Sequence, residues 1–444
     1  MPQVLLIASD FPPDLSIASR RPFCLAKYLP EHGWKPVVLT IGNASRTRAD
    51  HPGIYVIESD LISTPRLVGK FLDIIHRRQE TVESTHNVPM RDIYPHESPN
   101  ERIWITRLRQ IIYYPDRYFL FWFPKAVQKY IRVSKNLKID AIISTAKPFT
   151  AHLIAKHIRD RIHVPWIADF RDLWPHWRFY KSDADFTKAS SLLHRVLLSA
   201  VLSKANAFVA VSEPQKLLLK KRFPRKKVLS IPNGFDPADY PQQNKVQANE
   251  FLLTYTGQVR TDCQDPEILL GAISKLIAEN IVDRSRIKLR FYGEVTSKLY
   301  TDIQRYQLSD VVEATGVRRP RNEIILKQLE SSLLIVLAAL DPENTGTPTG
   351  KIYEYLAAKR PILAIGKPIG EDVLEDILVK TRAGTYARQF SQTTNAIATY
   401  YNHYLKNNSA TYKPFYEEIE KFSYSNLARH YADLLSELQP ETGS

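Results

Sequence analysis

Short apolar runs recur along this chain with room for a helix between each pair, and that rhythm constrains the fold more than any other feature. In the first half the runs are Val4–Ala8, Lys35–Thr40, Ala141–Thr145, Pro165–Asp169, Ala207–Val211 and Lys227–Ile231. Helical stretches lie between them, among them Arg20–Glu31 and Phe149–Asp160. Strand followed by helix followed by strand argues for a parallel sheet covered by helices on both faces.

The series stops at Ile231-Pro-Asn-Gly-Phe-Asp-Pro, and the polar stretch Asp239–Asn249 reads as a linker. A second series then begins, with strands expected at Phe251–Thr256, Lys288–Tyr292, Val311–Ala314, Leu333–Ala338 and Pro361–Ile365. Two doubly wound domains account for this in a chain of 444 residues. We expect an α/β protein with an N-terminal domain over 1–235 and a C-terminal domain over 236–414. The remaining segment, 415–444, carries one long helix, Phe415–Leu438, able to pack back on the N-terminal domain.

Between about 60 and 138 the alternation is interrupted by a basic, aromatic insertion. Arg66–Arg78 sets Leu67, Phe71, Ile74 and Ile75 beside Arg66, Lys70, Arg77 and Arg78, and Arg102–Tyr114 repeats the pattern around Arg102, Arg107 and Arg109. Tyr118-Phe-Leu-Phe-Trp-Phe-Pro follows. Two readings stay open: amphipathic helices packed on the first domain, or a surface resting in a lipid interface with basic groups on headgroup phosphates.

The net charge of +14 favours an anionic partner without choosing among phosphates, anionic lipid and nucleic acid. Basic residues are dispersed rather than gathered in one stripe, which counts against nucleic acid. Cys24 and Cys263 lie far apart with no metal spacing and read as reduced thiols of a cytoplasmic protein. The N-terminal apolar run is short and lacks a preceding basic residue, so it reads as a first strand. No window approaches the roughly 18 apolar residues of a membrane span. The expectation is a cytoplasmic protein, peripheral on the inner face of the membrane if the insertion meets lipid.

The richest local signal is Thr347-Pro-Thr-Gly-Lys-Ile-Tyr-Glu-Tyr-Leu-Ala-Ala, directly after the apolar run Leu333–Leu340. Strand, polar loop and helix N-terminus together make anion-binding geometry, because unpaired N–H groups and the helix dipole face the loop. Lys351 stands one turn before Glu354 on the same face.

With Val4–Pro13, Ile231-Pro-Asn-Gly-Phe-Asp and the looser Arg171-Asp-Leu-Trp, this segment resembles the family 4 type retaining glycosyltransferases of the GT-B fold. The resemblance implies two Rossmann-like domains facing a central cleft, with the donor held by the C-terminal one. It implies a nucleoside diphosphate sugar as co-substrate, a glycan or lipid-linked glycan as acceptor, and no divalent metal or other cofactor. It maps Glu354 onto the carboxylate that accepts from the ribose hydroxyls, a task suited to two acceptor oxygens. Lys351 maps beside the diphosphate, with Thr349 and Gly350 presenting N–H groups to it.

Several positions depart from the family pattern. Gly346 stands eight residues before Glu354, where a second glutamate is usual, and leaves Asp341 or Glu343 to meet the sugar. Gly257 is followed by Gln258, and Gln264 occupies a place the family often gives to lysine, so Arg260 is the nearest cation for the leaving phosphate. Arg171 stands where many members have histidine, between Asp169 and Asp172. Carboxylates at a strand's C-terminal end reach the ligand crevice of an open α/β sheet. Asp172 is thus an acceptor-orienting residue or weak base, or else an Arg–Asp pair fixes that loop. Ser16, Ser19 and Arg20 are acceptor-side candidates, with Ser19 alternatively a helix cap.

Other signals were weaker. The chain has no dinucleotide fingerprint, phosphate loop or nucleophile elbow. Asp183-Ala-Asp185 matches a two-aspartate metal motif but has no preceding strand, and the histidines lack zinc spacing. A nucleotide-sugar epimerase of the same fold and a non-catalytic anion-binding protein remain as alternatives to transfer in cell-surface polysaccharide or glycoconjugate synthesis.

Overall fold

The computed structural model describes residues 1–13, 17–42, 53–62, 116, 118–173, 196, 198–241, 250–259, 264–338, 346, 348–366, 373–407 and 412–440. They form two compact units: 1–211 with 216–231 and 428–444, and 212–215 with 232–427. Most of the insertion, with Arg102, Arg107 and Arg109, lies outside the described residues, as do Ser16, Asp183, Asp185, Arg260, Asp341 and Glu343.

The first unit holds a parallel seven-stranded sheet in the order β3-β2-β1-β4-β5-β6-β7. Its strands are β1 Gln3–Ile7, β2 Lys35–Ile41, β3 Tyr55–Ser59, β4 Ala141–Ala146, β5 Trp166–Phe170, β6 Ala207–Ala210 and β7 Lys227–Ser230. β4 to β6 are buried throughout because helices cover both faces. The second unit repeats the plan with β8 Phe251–Thr256, β9 Ile287–Tyr292, β10 Val312–Ala314, β11 Leu333–Leu337, β12 Ile362–Ile365 and β13 Gly384–Ala387, in the order β10-β9-β8-β11-β12-β13. In each sheet the order reverses beside the first strand, between β1 and β4 and between β8 and β11. Open α/β sheets bind ligands outside the carboxyl ends at such a switch point.

The structure differs from the sequence expectations at two places. β3 and β13, both edge strands, carry too little apolar signal to be seen, since one side of an edge strand meets solvent. The expected helix Phe415–Leu438 is broken into Tyr416–Glu420 and Tyr424–Glu437. The break is held by Phe235, whose N–H donates to Phe422 O at 3.1 Å and whose carbonyl accepts from Tyr424 N at 2.8 Å. Gly234 makes this approach feasible, because a Cβ there would lie 2.2 Å from Phe422 O. In the aromatic stretch Tyr118–Pro124 Trp122 is fully buried and donates its indole N–H to Ser59 Oγ at 2.9 Å, while Leu120 and Pro124 are exposed, the pattern of an amphipathic segment packed on the first unit. The helix Phe123–Val133 likewise buries Ala126, Val127 and Tyr130.

Candidate active site

In the second unit β8 ends at Gly257, whose φ of 107° suits glycine. Its N–H donates to Tyr292 O at 2.7 Å, and Gly293, with φ of 139°, packs so closely that a Cβ there would sit 2.5 Å from Gly257 O. Two bare backbones therefore meet at the carboxyl end of the sheet. A Cβ on Gly257 would fall 2.5 Å from Cε of Lys351, so the lysine side chain crosses this corner.

Lys351 opens the helix Lys351–Ala358, which follows β11. Its ammonium donates to the Tyr255 hydroxyl at 2.6 Å and stands 4.2 Å from the centre of that ring. Tyr255 is fully buried and donates to Gln258 O at 2.8 Å. Gln264, a position of departure in the sequence, contacts the same hydroxyl at 3.2 Å and donates to Leu337 O at the end of β11. The lysine is thus held by an oriented phenol at the switch point, with Thr349 half-buried and Gly350 exposed just before it.

Glu354, one turn further, is held from both sides. One carboxylate oxygen accepts from Arg321, and the other accepts from Gln328 Nε2 at 3.2 Å. Gln328 is fully buried and also donates to Thr256 Oγ1 at 3.2 Å, while Tyr355 OH accepts from the Thr256 N–H at 2.9 Å. Arg321 reaches a second carboxylate, Asp239, at 3.2 Å. Burial works against the Arg321 charge, but Glu354 overcomes it, and the guanidinium pKa lies above its usual value. Glu354 keeps 22% of its side chain exposed, so its remaining lone pairs face outward.

In the first unit the expected catalytic cluster separates by role. Asp169 is wholly buried: it accepts from Arg21 Nε at 3.0 Å and Nη2 at 2.9 Å, and from Tyr431 OH at 2.7 Å. Burial alone would raise its pKa, but the Arg21 charge outweighs that and holds the carboxyl below its ordinary range. Both oxygens of Asp169 are therefore engaged in the interior. Arg21 also donates to Ile231 O at 2.8 Å.

Arg171 donates to three carbonyls, Ala146 at 3.0 Å, Ala18 at 2.6 Å and Lys147. Its guanidinium ties the loop after β4 to the helix Ile17–Tyr28. Asp172 is the group left toward solvent, 40% exposed and 3.8 Å from Lys147 Nζ. Ser19 is buried and Arg20 half-buried on the helix Ile17–Tyr28.

Sequence reasoning missed Arg21, Tyr431, Tyr255, Arg321 and Gln328. Their partners lie up to 410 positions away, beyond any local pattern. Among the described residues no cluster of three His, Cys, Asp or Glu has the arrangement of a metal site.

This architecture is that of the GT-B glycosyltransferases. Sucrose-phosphate synthase from Thermosynechococcus elongatus aligns with a TM-score of 0.64 at 13% identity, covering 99% of both chains. HepE of Anabaena, solved with UDP and glucose, aligns at 0.58 and 14% identity over 99% of this chain and 100% of its own. TarM of S. aureus, solved with UDP among its ligands, aligns at 0.57 and 12% identity over 98% and 100%. No curated protein sequence matches. Residues 91–239 match the profile of Glycosyltransferase Family 4, and the two sheets share the GT-B fold of these solved structures.

Proposed function

We propose that the chain transfers a sugar, with retention, from a nucleoside diphosphate donor to a glycan or lipid-linked glycan in cell-surface polysaccharide or glycoconjugate synthesis. The observation that carries this reading is the pairing of Lys351 and Glu354 on one turn of a helix at the switch point of the second sheet, beside the bare backbone of Gly257. HepE was solved with UDP, which supports a nucleoside diphosphate as the ligand of this fold. Glu354 accepts from the vicinal ribose hydroxyls while Arg321 and Gln328 hold its orientation. Lys351 leaves Tyr255 to meet the diphosphate, joined by the N–H groups of Thr349 and Gly350 and by Arg260. Negative charge grows on the diphosphate as the glycosidic bond breaks. Preorganised donors that meet it lower the barrier without reorganising at that moment.

Acceptor recognition falls to the first unit. Asp172 orients the acceptor hydroxyl, Ser16, Ser19 and Arg20 contribute contacts, and Glu343 reaches the transferred sugar. Calorimetric titration of UDP- and GDP-sugars into wild type and Glu354→Ala tests the donor assignment. Loss of two charge-assisted bonds to the ribose is expected to weaken binding by roughly 100-fold. Unchanged donor affinity refutes the assignment, and an isomerised donor formed without acceptor would show an epimerase instead.

A further inference from the structure

The helix Glu213–Arg222 and the turn after it carry a surface that neither donor nor acceptor binding uses. Residues 216–227, Lys-Leu-Leu-Leu-Lys-Lys-Arg-Phe-Pro-Arg-Lys-Lys, hold seven cations and no acid. Leu219 is buried in the core of the first unit, which turns its neighbours outward. Leu217 is 63% exposed and Leu218 39% exposed, although a helix of this kind ordinarily buries such residues. Lys220, Lys221, Arg222 and Arg225 are exposed around them.

Three cations of this surface are hydrogen-bonded to neutral acceptors. Lys220 donates to Lys226 O at 2.9 Å, Arg222 to Ser199 Oγ at 2.8 Å and Lys226 to Ser203 O at 2.7 Å, all neutral acceptors. Lys227 meets a carboxylate, that of Glu437. Val196, three residues before Ser199, adds a further 56%-exposed apolar group on the neighbouring segment. The positive field is felt locally: burial, then the charges of Arg159 and Lys204, lower the Lys226 pKa.

We infer that this face docks on an anionic lipid surface, with Leu217 and Leu218 entering the interface and Lys220, Lys221, Arg222 and Arg225 meeting headgroup phosphates. Adjacent exposed leucines separate this partner from nucleic acid. They add nothing to a phosphodiester backbone, but gain by leaving water for the acyl boundary. The surface is distinct from the insertion at 60–138, and the inference does not depend on the donor assignment.

The test is flotation with phosphatidylcholine vesicles, with and without about 30% phosphatidylglycerol, at two salt concentrations. Four proteins are compared: wild type, Leu217→Ser with Leu218→Ser, Lys220→Ser with Lys221→Ser and Arg222→Ser, and Arg102→Ser with Arg107→Ser and Arg109→Ser. All substituted positions that are described are exposed, and circular dichroism with thermal melting verifies that each variant is folded. Wild type is expected to float only with the anionic vesicles. The triple change at 220–222 should reduce partition by on the order of 100-fold, and the leucine change by about 10-fold or more. Absence of flotation overturns the inference. So does loss confined to the Arg102, Arg107 and Arg109 variant, or a leucine variant that binds normally.

Discussion

Replacing Asp169 by Asn separates its structural role from the chemical role that its place at a strand end suggests. The Arg21–Asp169 pair is 2% and 0% exposed, so the change leaves a guanidinium buried with its neutralising partner gone. Breaking a buried pair from one side costs about 3–5 kcal/mol. The asparagine oxygen still accepts one bond, which favours the low end, about 3 kcal/mol. For a unit of this size that corresponds to a fall in melting midpoint of roughly 6–12 °C.

All six tryptophans, at 34, 104, 122, 166, 174 and 177, fall within the sequence span of the first unit and none within that of the second, so tryptophan fluorescence reports on the affected part of the chain. Asp172→Asn is the control. Its pair is 3.8 Å long and 37–40% exposed, so solvent screening leaves at most about 0.5 kcal/mol. The pH dependence has a definite sign. The folded pKa of Asp169 is depressed, so its contribution is complete above the ordinary carboxylate value near 4 and disappears as pH falls through the folded value. The difference between wild type and Asp169→Asn should therefore be full at pH 7 and shrink below about pH 4. A normal melting midpoint at pH 7 combined with lost transfer would refute the reasoning and return Asp169 to the chemistry.

Arg321→Met should leave Glu354 held by Gln328 alone. With the pair 33% and 22% exposed, we expect about 1–2 kcal/mol of donor affinity to be lost, roughly 5- to 30-fold by titration, and the change should add little to Glu354→Ala in the double variant. Tyr255→Phe removes the hydroxyl that holds Lys351 and should weaken donor binding less than Lys351→Met, measured in the same way. Gly234→Ala drives a Cβ into Phe422 O and should cost about 2 kcal/mol or more by thermal melting, with no direct effect on donor contacts.

The doubly wound plan was legible because β1, β4, β8 and β11 are runs buried on both faces, and burial of that kind demands apolar sequence. The edge strands β3 and β13 escaped because half of each needs no such residues. The broken helix at 421–423 was invisible for a different reason. Its cause, the backbone of Phe235, is nearly 200 positions away, and backbone pairing leaves no mark on side-chain type.

The site divides along the same line. Lys351 and Glu354 stand one turn apart on one helix, so helical periodicity alone placed them together beside a polar loop. Their setting is tertiary: Tyr255 comes from β8, and Arg321 and Gln328 from the helix before β11. Asp169 and Arg171 show the converse. Their position after a buried strand was readable, yet whether such groups face ligand or interior depends on which cations and carbonyls the fold brings to them. Arg21 and Tyr431 claim the first, and three loop carbonyls claim the second, because a buried charge must find partners wherever the packed chain supplies them.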